Sequence, residues 1–331
     1  MSTKVLVTGG AGYVGSHVVD ELVRNGCEVV VFDNLSAGHR QAVHEDAVLV
    51  EGDLLDREAL KKAFRNHRFG AVIHMASYAL VGESTEKPWL YLRDNVLAAS
   101  FLLEESVTIG VRRIIFSSSC NIFGSPKTIP IGESESVTPD SPYGESKATI
   151  ERQLYWMERL YDLKSCALRY FNAASAHPGG RIGEDHTPET HLIPRILQVA
   201  LGQRSHAEVY GDDYETEDGT CVRDYVSVMD LARAHLLALE SLTKGPGGQY
   251  NLGSGKGYSV GQVLEVARQV TGHEVLATVT RRRLGDPPVL VADNSAIRKF
   301  LGWKPEDSDL QSIIESAWNW HREHPHGYTG A

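Results

Sequence analysis

Few architectures accommodate the run Lys4–Gly15, "KVLVTGGAGYVG". A short β-branched stretch meets glycines at 9, 12 and 15, and an amphipathic helical pattern then runs to Gly26. A strand, a tight turn and a helix in that order bring a helix N-terminus, with its unpaired N–H groups and positive dipole end, to the edge of a sheet. The same turn lets backbone approach a pyrophosphate. Gly9, Gly12 and Gly15, with Tyr13 and Val14 between them, are therefore candidates for holding a dinucleotide. A glycine triplet can equally be a plain strand–helix connection, so the rest of the chain has to separate the two.

It does so by rhythm. "EVVVFD", "AVLVEGD", "AVIHMA", "RRIIFSSS" and "SCALRYFN" read as further strands. Helical patterns fall between them, from about Asp56 to His67, from Pro88 to about Thr108, and from Pro142 to about Tyr161. That alternation predicts βαβ units and a parallel sheet buried on both faces. The expected fold class is α/β, a doubly wound parallel sheet with a smaller mixed α/β lobe. After Asn172 the pattern loosens. "AHPGGRIGEDHTPETH" reads as a long functional loop, followed by a helix near Leu192–Leu201. "VRDYVSVMDLARAHLLALES" reads as strand then helix, "GQYNLGS" as a strand, and the tail as two or three helices with a short strand. With no low-complexity linker, the lobes are expected to interleave. Residues 1–172 and about 222–254 would bind the dinucleotide, and about 173–221 and 255–331 would form the second lobe.

Composition narrows the partners. A formal charge of −10 over 331 residues argues against nucleic acid. Cys27, Cys120, Cys166 and Cys221 are scattered without metal-type spacing, so no metal is expected, and the chain reads as reduced and cytoplasmic. No apolar run approaches a membrane span.

Three groups carry the chemistry. Asp33 closes the second strand where a carboxylate accepts from a ribose 2′-hydroxyl and repels a 2′-phosphate, which favours NAD over NADP. Asp53 ends the third strand and suits the adenine amino group or a helix cap. Tyr143 and Lys147 share one face of the helix opened by Pro142. A neighbouring ammonium favours phenolate, so Lys147 is expected to pull the phenol below its usual pKa of about 10 and equip it to take a proton from an alcohol. Ser117, Ser118 and Ser119 end the fifth strand at the sheet's carboxyl edge. Ser119 is the first candidate for the hydroxyl partner of Tyr143 and Ser118 the second, because strand neighbours point to opposite faces.

At this point the chain resembles the UDP-glucose (UDP-galactose) 4-epimerase family of the extended short-chain dehydrogenases/reductases, which have a Rossmann-type sheet. The resemblance rests on "TGGAGYVGSH", "DNLS", "EGDLLD", "VIHMAS", "VGES", "FSSS", "SPYGESK", "RYFNAA", "GEDHTPETHLIP", "YGDDYETEDGTCVRDYVSVMDLA", "YNLGSG", "RRRLGDPP" and "HPHGY". It implies tightly held NAD, a UDP-sugar substrate and a homodimer built from a helix pair per subunit. By position it places Asn34, Leu54, Met75, Ala76, Ser77, Asn95, Ser117 and Tyr170 beside the cofactor, with Asp33 and Asp53. It makes Ser119, Tyr143 and Lys147 the catalytic trio. Asn172, Arg223 and Arg283 resemble the diphosphate clamp, Asp286 a partner of the uridine ribose and Tyr210 a partner of uracil. Cys120, Asn121, His191, Leu192 and Leu290 fall among the substrate contacts.

Some positions depart from the family pattern. Cys120-Asn121 replaces a small residue and Thr, Phe123 a common Tyr, Ala79 a Lys of some members, and His191 an Asn. Leu290 stands where residue size governs admission of an N-acetyl group. These positions leave open a C4 epimerase of UDP-N-acetylhexosamines or UDP-hexuronic acids. A nucleotide-sugar 4,6-dehydratase or decarboxylase would need acid–base groups that Cys120-Asn121 does not supply. A non-catalytic NAD-binding regulator would be expected to lack Ser119, Tyr143 or Lys147.

Overall fold

The computed structural model describes residues 3–283 and 286–328. Leu284 and Gly285 of the "RRRLGDPP" motif lie outside them. The first half alternates as β1 (Lys4–Thr8), α1 (Tyr13–Arg24), β2 (Glu28–Asp33), β3 (Val48–Glu51), α2 (Arg57–Asn66), β4 (Ala71–His74), α3 (Val81–Glu86), α4 (Val96–Ile109), β5 (Arg113–Ser119), α5 (Pro142–Tyr161) and β6 (Lys164–Tyr170). There follow β7 (Asn172–Ala174), α6 (Leu192–Ala200), β8 (Ala207–Tyr210), β9 (Val222–Ser227), α7 (Val228–Lys244) and β10 (Gly248–Leu252). The tail comprises β11 (Gly257–Ser259), α8 (Val260–Thr271), β12 (Ala277–Thr280), β13 (Val289–Leu290), α9 (Ser295–Leu301) and α10 (Leu310–Glu323).

The main sheet has seven parallel strands in the order β10-β6-β5-β4-β1-β2-β3. Its core follows from the period of two. Val5 and Val7 of β1 join Ile73 and Ile115 against Val18 and Leu22 of α1 and Leu231 and Ala238 of α7. Leu6 points the other way, with Val72, Ile114 and Phe116, onto Leu60 of α2, Leu102 of α4 and Leu154 of α5. Strand order reverses between β1 and β4, and ligands in such sheets bind at that switch, outside the strands' carboxyl ends. The family's doubly wound sheet is therefore present.

Two local readings change. The helix expected from Pro88 is interrupted: α3 ends at Glu86, and Leu90–Asn95 is wound as a π-helix before α4 begins. The wider winding leaves Tyr91, Asp94 and Asn95 buried together. The strand expected in the dinucleotide lobe at Val222–Ser227 lies instead in a second sheet, parallel to β7 and β13 and antiparallel to β11. Only α7 and β10 of that stretch return to the main sheet. The second half otherwise packs α6, α8 and α10 around Ile196, Val263 and Ile314. Among the described residues no helix is long and apolar enough to cross a membrane.

Candidate active site

The glycine turn distinguishes its own members. A Cβ on Gly15 would lie 2.1 Å from the Gly9 carbonyl oxygen, so the turn itself demands glycine there. A Cβ on Gly12 would meet only that same oxygen, at 3.4 Å, an ordinary contact. The protein's own packing does not require glycine at 12, which leaves that position open to a closely approaching ligand. Gly12 is also the N-cap of α1, and no described side chain caps the N–H groups there. Both observations fit a dinucleotide pyrophosphate.

Asp33, buried at the end of β2, accepts from the Ala11 N–H at 3.0 Å and the Leu35 N–H at 2.8 Å. Burial raises its pKa while both bonds oppose the rise. Asn34 donates to Asp53 at 2.9 Å, and Leu54 is buried beside them. On the other side of β1, the N–H groups of Met75 and Ala76 both reach the Thr8 carbonyl at 3.0 Å. Asn95 holds that loop by accepting from the Tyr78 N–H at 2.8 Å and donating to the Tyr78 carbonyl at 3.0 Å.

The reacting group sits on α5. Ser141 caps this helix by accepting from the Gly144 N–H, and Pro142 preorganises its first turn. Tyr143 and Lys147 follow on one face, both buried. The Lys147 ammonium donates to Ser77 Oγ at 2.9 Å and to the Ser117 carbonyl at 2.8 Å, joining the ends of β4 and β5 to α5. It lies 5.6 Å from the Tyr143 ring centroid. Tyr91, from the π-wound turn, meets that ring edge-on at 6.3 Å. Tyr170 closes the layer behind, its hydroxyl 2.5 Å from His235 Nε2.

The two candidate serines separate as alternation predicts. Ser118 donates to the buried Glu151 carboxylate at 2.6 Å, and Glu151 takes both a 3.0 Å and a 2.6 Å bond from Arg169. Ser119 is the one that acts on Tyr143, lowering the phenol's pKa. The backbone N–H of Asn121 donates to Ser119 Oγ at 3.2 Å and its amide at 3.0 Å. Both lone pairs of the hydroxyl are thereby engaged, which leaves Ser119 its O–H to donate.

The electrostatics revise one expectation. Burial dominates, pushing Tyr143 up to about 12 and Lys147 down to about 7. Within the protein alone, desolvation outweighs the Ser119 hydrogen bond, so the phenol lies above its usual pKa rather than below it.

The nucleotide-sugar candidates come from the second sheet and its loops. Arg223 of β9 is buried and pairs with Asp286, also donating to the Val222 carbonyl at 2.7 Å. Leu290 of β13 lies in register with Arg223 and packs on the apolar cluster containing Cys120. Burial pushes the Cys120 thiol up to about 12, so it serves as wall rather than nucleophile. The Arg283 guanidinium lies 3.9 Å from the Tyr210 ring centroid. Asn172 is exposed at the start of β7, in register with Tyr225. His191 precedes α6, whose first residue is Leu192, and its Nδ1 engages Glu184. Sequence reasoning missed Tyr91, buried on the π-wound turn that begins two residues after Pro88, where an ordinary helix was expected. It also missed Glu184, His186 and Glu189, which were read only as loop.

A glycine turn and a buried Tyr–Lys pair on one doubly wound sheet fit a nicotinamide-dependent enzyme, and residues 5–253 match the NAD dependent epimerase/dehydratase family. The chain is 51% identical over 326 residues to the UDP-glucose 4-epimerase of Halalkalibacterium halodurans, covering 98% of this chain and 97% of that protein. A crystal structure of UDP-glucose 4-epimerase matches with a TM-score of 0.96 at 47% identity, over 99% of this chain and 100% of that one. The UDP-glucose 4-epimerase from Bifidobacterium longum, in complex with NAD+ and UDP, matches at 0.95 and 36% identity, over 98% and 100%. The chain belongs to the UDP-glucose 4-epimerase family, and its cofactor is NAD.

Proposed function

We infer that this enzyme interconverts UDP-glucose and UDP-galactose by transient oxidation at sugar C4, with Tyr143 as the proton-transfer group and Ser119 and Lys147 as its partners. The observation that carries this reading is the buried Tyr143–Lys147 pair at the carboxyl edge of the main sheet, with the Ser119 proton free to donate. NAD, when bound, supplies the hydride acceptor at C4 and a positive ring whose charge favours the phenolate. Gly12 and the N-terminus of α1 would hold its pyrophosphate, and Asp33 a ribose hydroxyl.

The chain's own residues do the rest. Ser119 donates toward the 4-oxygen and orients it. Tyr143 takes the hydroxyl proton as C4 is oxidised. Lys147, fixed between Ser77 and Ser117, holds its ammonium beside the phenol. Arg223 and Arg283 anchor the diphosphate by charge-assisted bonds while the 4-keto sugar turns over. Tyr143 then returns the proton after reduction from the opposite face. Leu290 and Cys120, which share one apolar cluster, would wall the sugar side of the site.

A second copy of this chain is the expected partner, and the cytoplasm the expected compartment. Leu92, Leu97, Trp156, Leu160 and Tyr161 are exposed on the π-wound turn, α4 and α5, an apolar face suited to helix-pair dimerisation.

The test is to incubate the purified protein separately with UDP-glucose, UDP-N-acetylglucosamine and UDP-glucuronate and analyse the products. UDP-glucose should convert. Conversion of the N-acetyl sugar alone would overturn the substrate assignment.

A further inference from the structure

We propose that Glu184, His186, Glu189 and His191 form a binding site for a divalent transition ion of the zinc class. One donor atom from each lies within 4.8 Å of the others. The Glu184 and Glu189 side chains are both buried. His186 Nδ1 stands 3.3 Å from a Glu184 oxygen and 3.6 Å from a Glu189 oxygen. Neither contact makes a hydrogen bond: Nδ1 is buried and has no hydrogen-bond partner among the described residues. Yet these are the spacings a metal would impose. Around a tetrahedral ion with bonds of about 2.0–2.2 Å, neighbouring ligand atoms sit about 3.3–3.6 Å apart. The His191–Glu184 pair is closer and would open as an ion entered, while the remaining donor atoms, all within 4.8 Å of one another, would draw in around it.

The donor set also selects the ion. Two imidazoles and two carboxylates suit zinc better than magnesium or calcium, which prefer all-oxygen shells. Two carboxylates balance the charge of a dication beside neutral imidazoles. Support behind the ligands is present as well. The second oxygen of Glu189 accepts from the N–H groups of Thr190 and His191, each at 2.7 Å, which fixes the carboxylate's direction.

The site's place suggests its purpose. The His186 ring lies edge-on to Tyr13, the first residue of α1, with centroids 6.0 Å apart. Tyr13 in turn donates to the Ser175 carbonyl at 2.5 Å. His191 leads directly into α6. An ion here would pin the Glu184–His191 segment between the glycine turn and the helix that opens with Leu192. With four protein ligands the site is closed, so its role is structural and no catalytic step is assigned to it.

The rival is a cluster of two imidazoliums and two carboxylates. In the metal-free chain the nearby carboxylates favour protonated imidazoles, against the desolvation that burial imposes. Metal binding requires neutral imidazoles, so it would expel those protons.

The test uses untagged, full-length, NAD-loaded protein purified without chelator. Elemental analysis should find close to one zinc per chain. After dialysis against a chelator, added zinc should raise the melting temperature and release protons. His186→Gln should weaken zinc binding by about 10-fold or more, since even outer partners of metal ligands are worth that much. Its NAD content reports that it has folded. Zinc-free native protein whose melting point ignores added zinc would overturn the proposal. So would equal zinc in a folded His186→Gln variant and the wild type. The wild-type measurements decide even where the variant loses NAD. Failure here leaves the epimerase reading untouched, because that rests on product analysis.

Discussion

Tyr143 and Lys147 stand on a helix of 20 residues seated across the main sheet, whereas Arg223, Tyr210 and Leu290 stand on strands of 6, 4 and 2 residues. The first group is surrounded by apolar core and by short, directed hydrogen bonds from strand ends. The second is a set of ion pairs and cation–π stacks: Arg223 with Asp286, Arg195 with Glu208, Arg283 on Tyr210 and Arg282 on Tyr214. The contrast matches what the reaction asks of each end. In the proposed mechanism the proton-transfer group has to be held to a fraction of an ångström, which packing against a sheet achieves. The anchor has to grip a diphosphate while the sugar rotates, which charge-assisted bonds allow without fixing the ring.

The largest effect expected from disturbing this division is at the turn. Gly15→Ala should lower the melting temperature and empty the protein of NAD, because its Cβ collides with the Gly9 carbonyl. Gly12→Ala should melt as the wild type does yet bind NAD more weakly, since only the ligand side is altered. Parallel melting and cofactor-content measurements check both, and equal behaviour would dissolve the distinction.

At the anchor, Arg223→Ala should cost about 2 kcal/mol or more of nucleotide binding, seen as a roughly 30-fold or greater rise in KM with NAD content retained. A KM unchanged in steady-state assays would remove Arg223 from the diphosphate clamp.

The smallest effect per residue is the acid sensitivity of the main-sheet half. Burial lowers His74 to about 3, and His17 and His235 to about 4. Below pH 6.5 the unfolded chain takes up protons that these folded imidazoles refuse. Stability is therefore full above pH 6.5 and falls as pH drops toward 4. Each such histidine should remove on the order of 1–2 kcal/mol by pH 5. Denaturant titrations at pH 7 and pH 5 check the sign, and His17→Gln should reduce the difference.

Legibility followed range. The glycine spacing, the Tyr143–Lys147 interval and the serines at the end of β5 are local patterns, legible along the chain before any coordinates. Even the preference for Ser119 over Ser118 followed from strand alternation. What stayed hidden was set by distant packing. Whether β9 joins the main or the second sheet depends on which strand edges are open, and "VRDYVS" suits either. The π-winding at Leu90–Asn95 follows Pro88, which along the chain reads as an ordinary helix start. The pKa of Tyr143 is decided by burial, which spacing along a helix cannot reveal. The motif "GEDHTPETH" carries two glutamates and two histidines spaced two, three and two residues apart, but only the folded loop turns their donor atoms toward one point.

The most direct measurement is the turnover of NAD-loaded Tyr143→Phe with UDP-galactose, alongside the wild type. Loss of the proton-transfer group should lower kcat by about 10²–10⁴ while the variant keeps its NAD and its affinity for UDP. A kcat close to that of the wild type would show that this phenol does not move the proton.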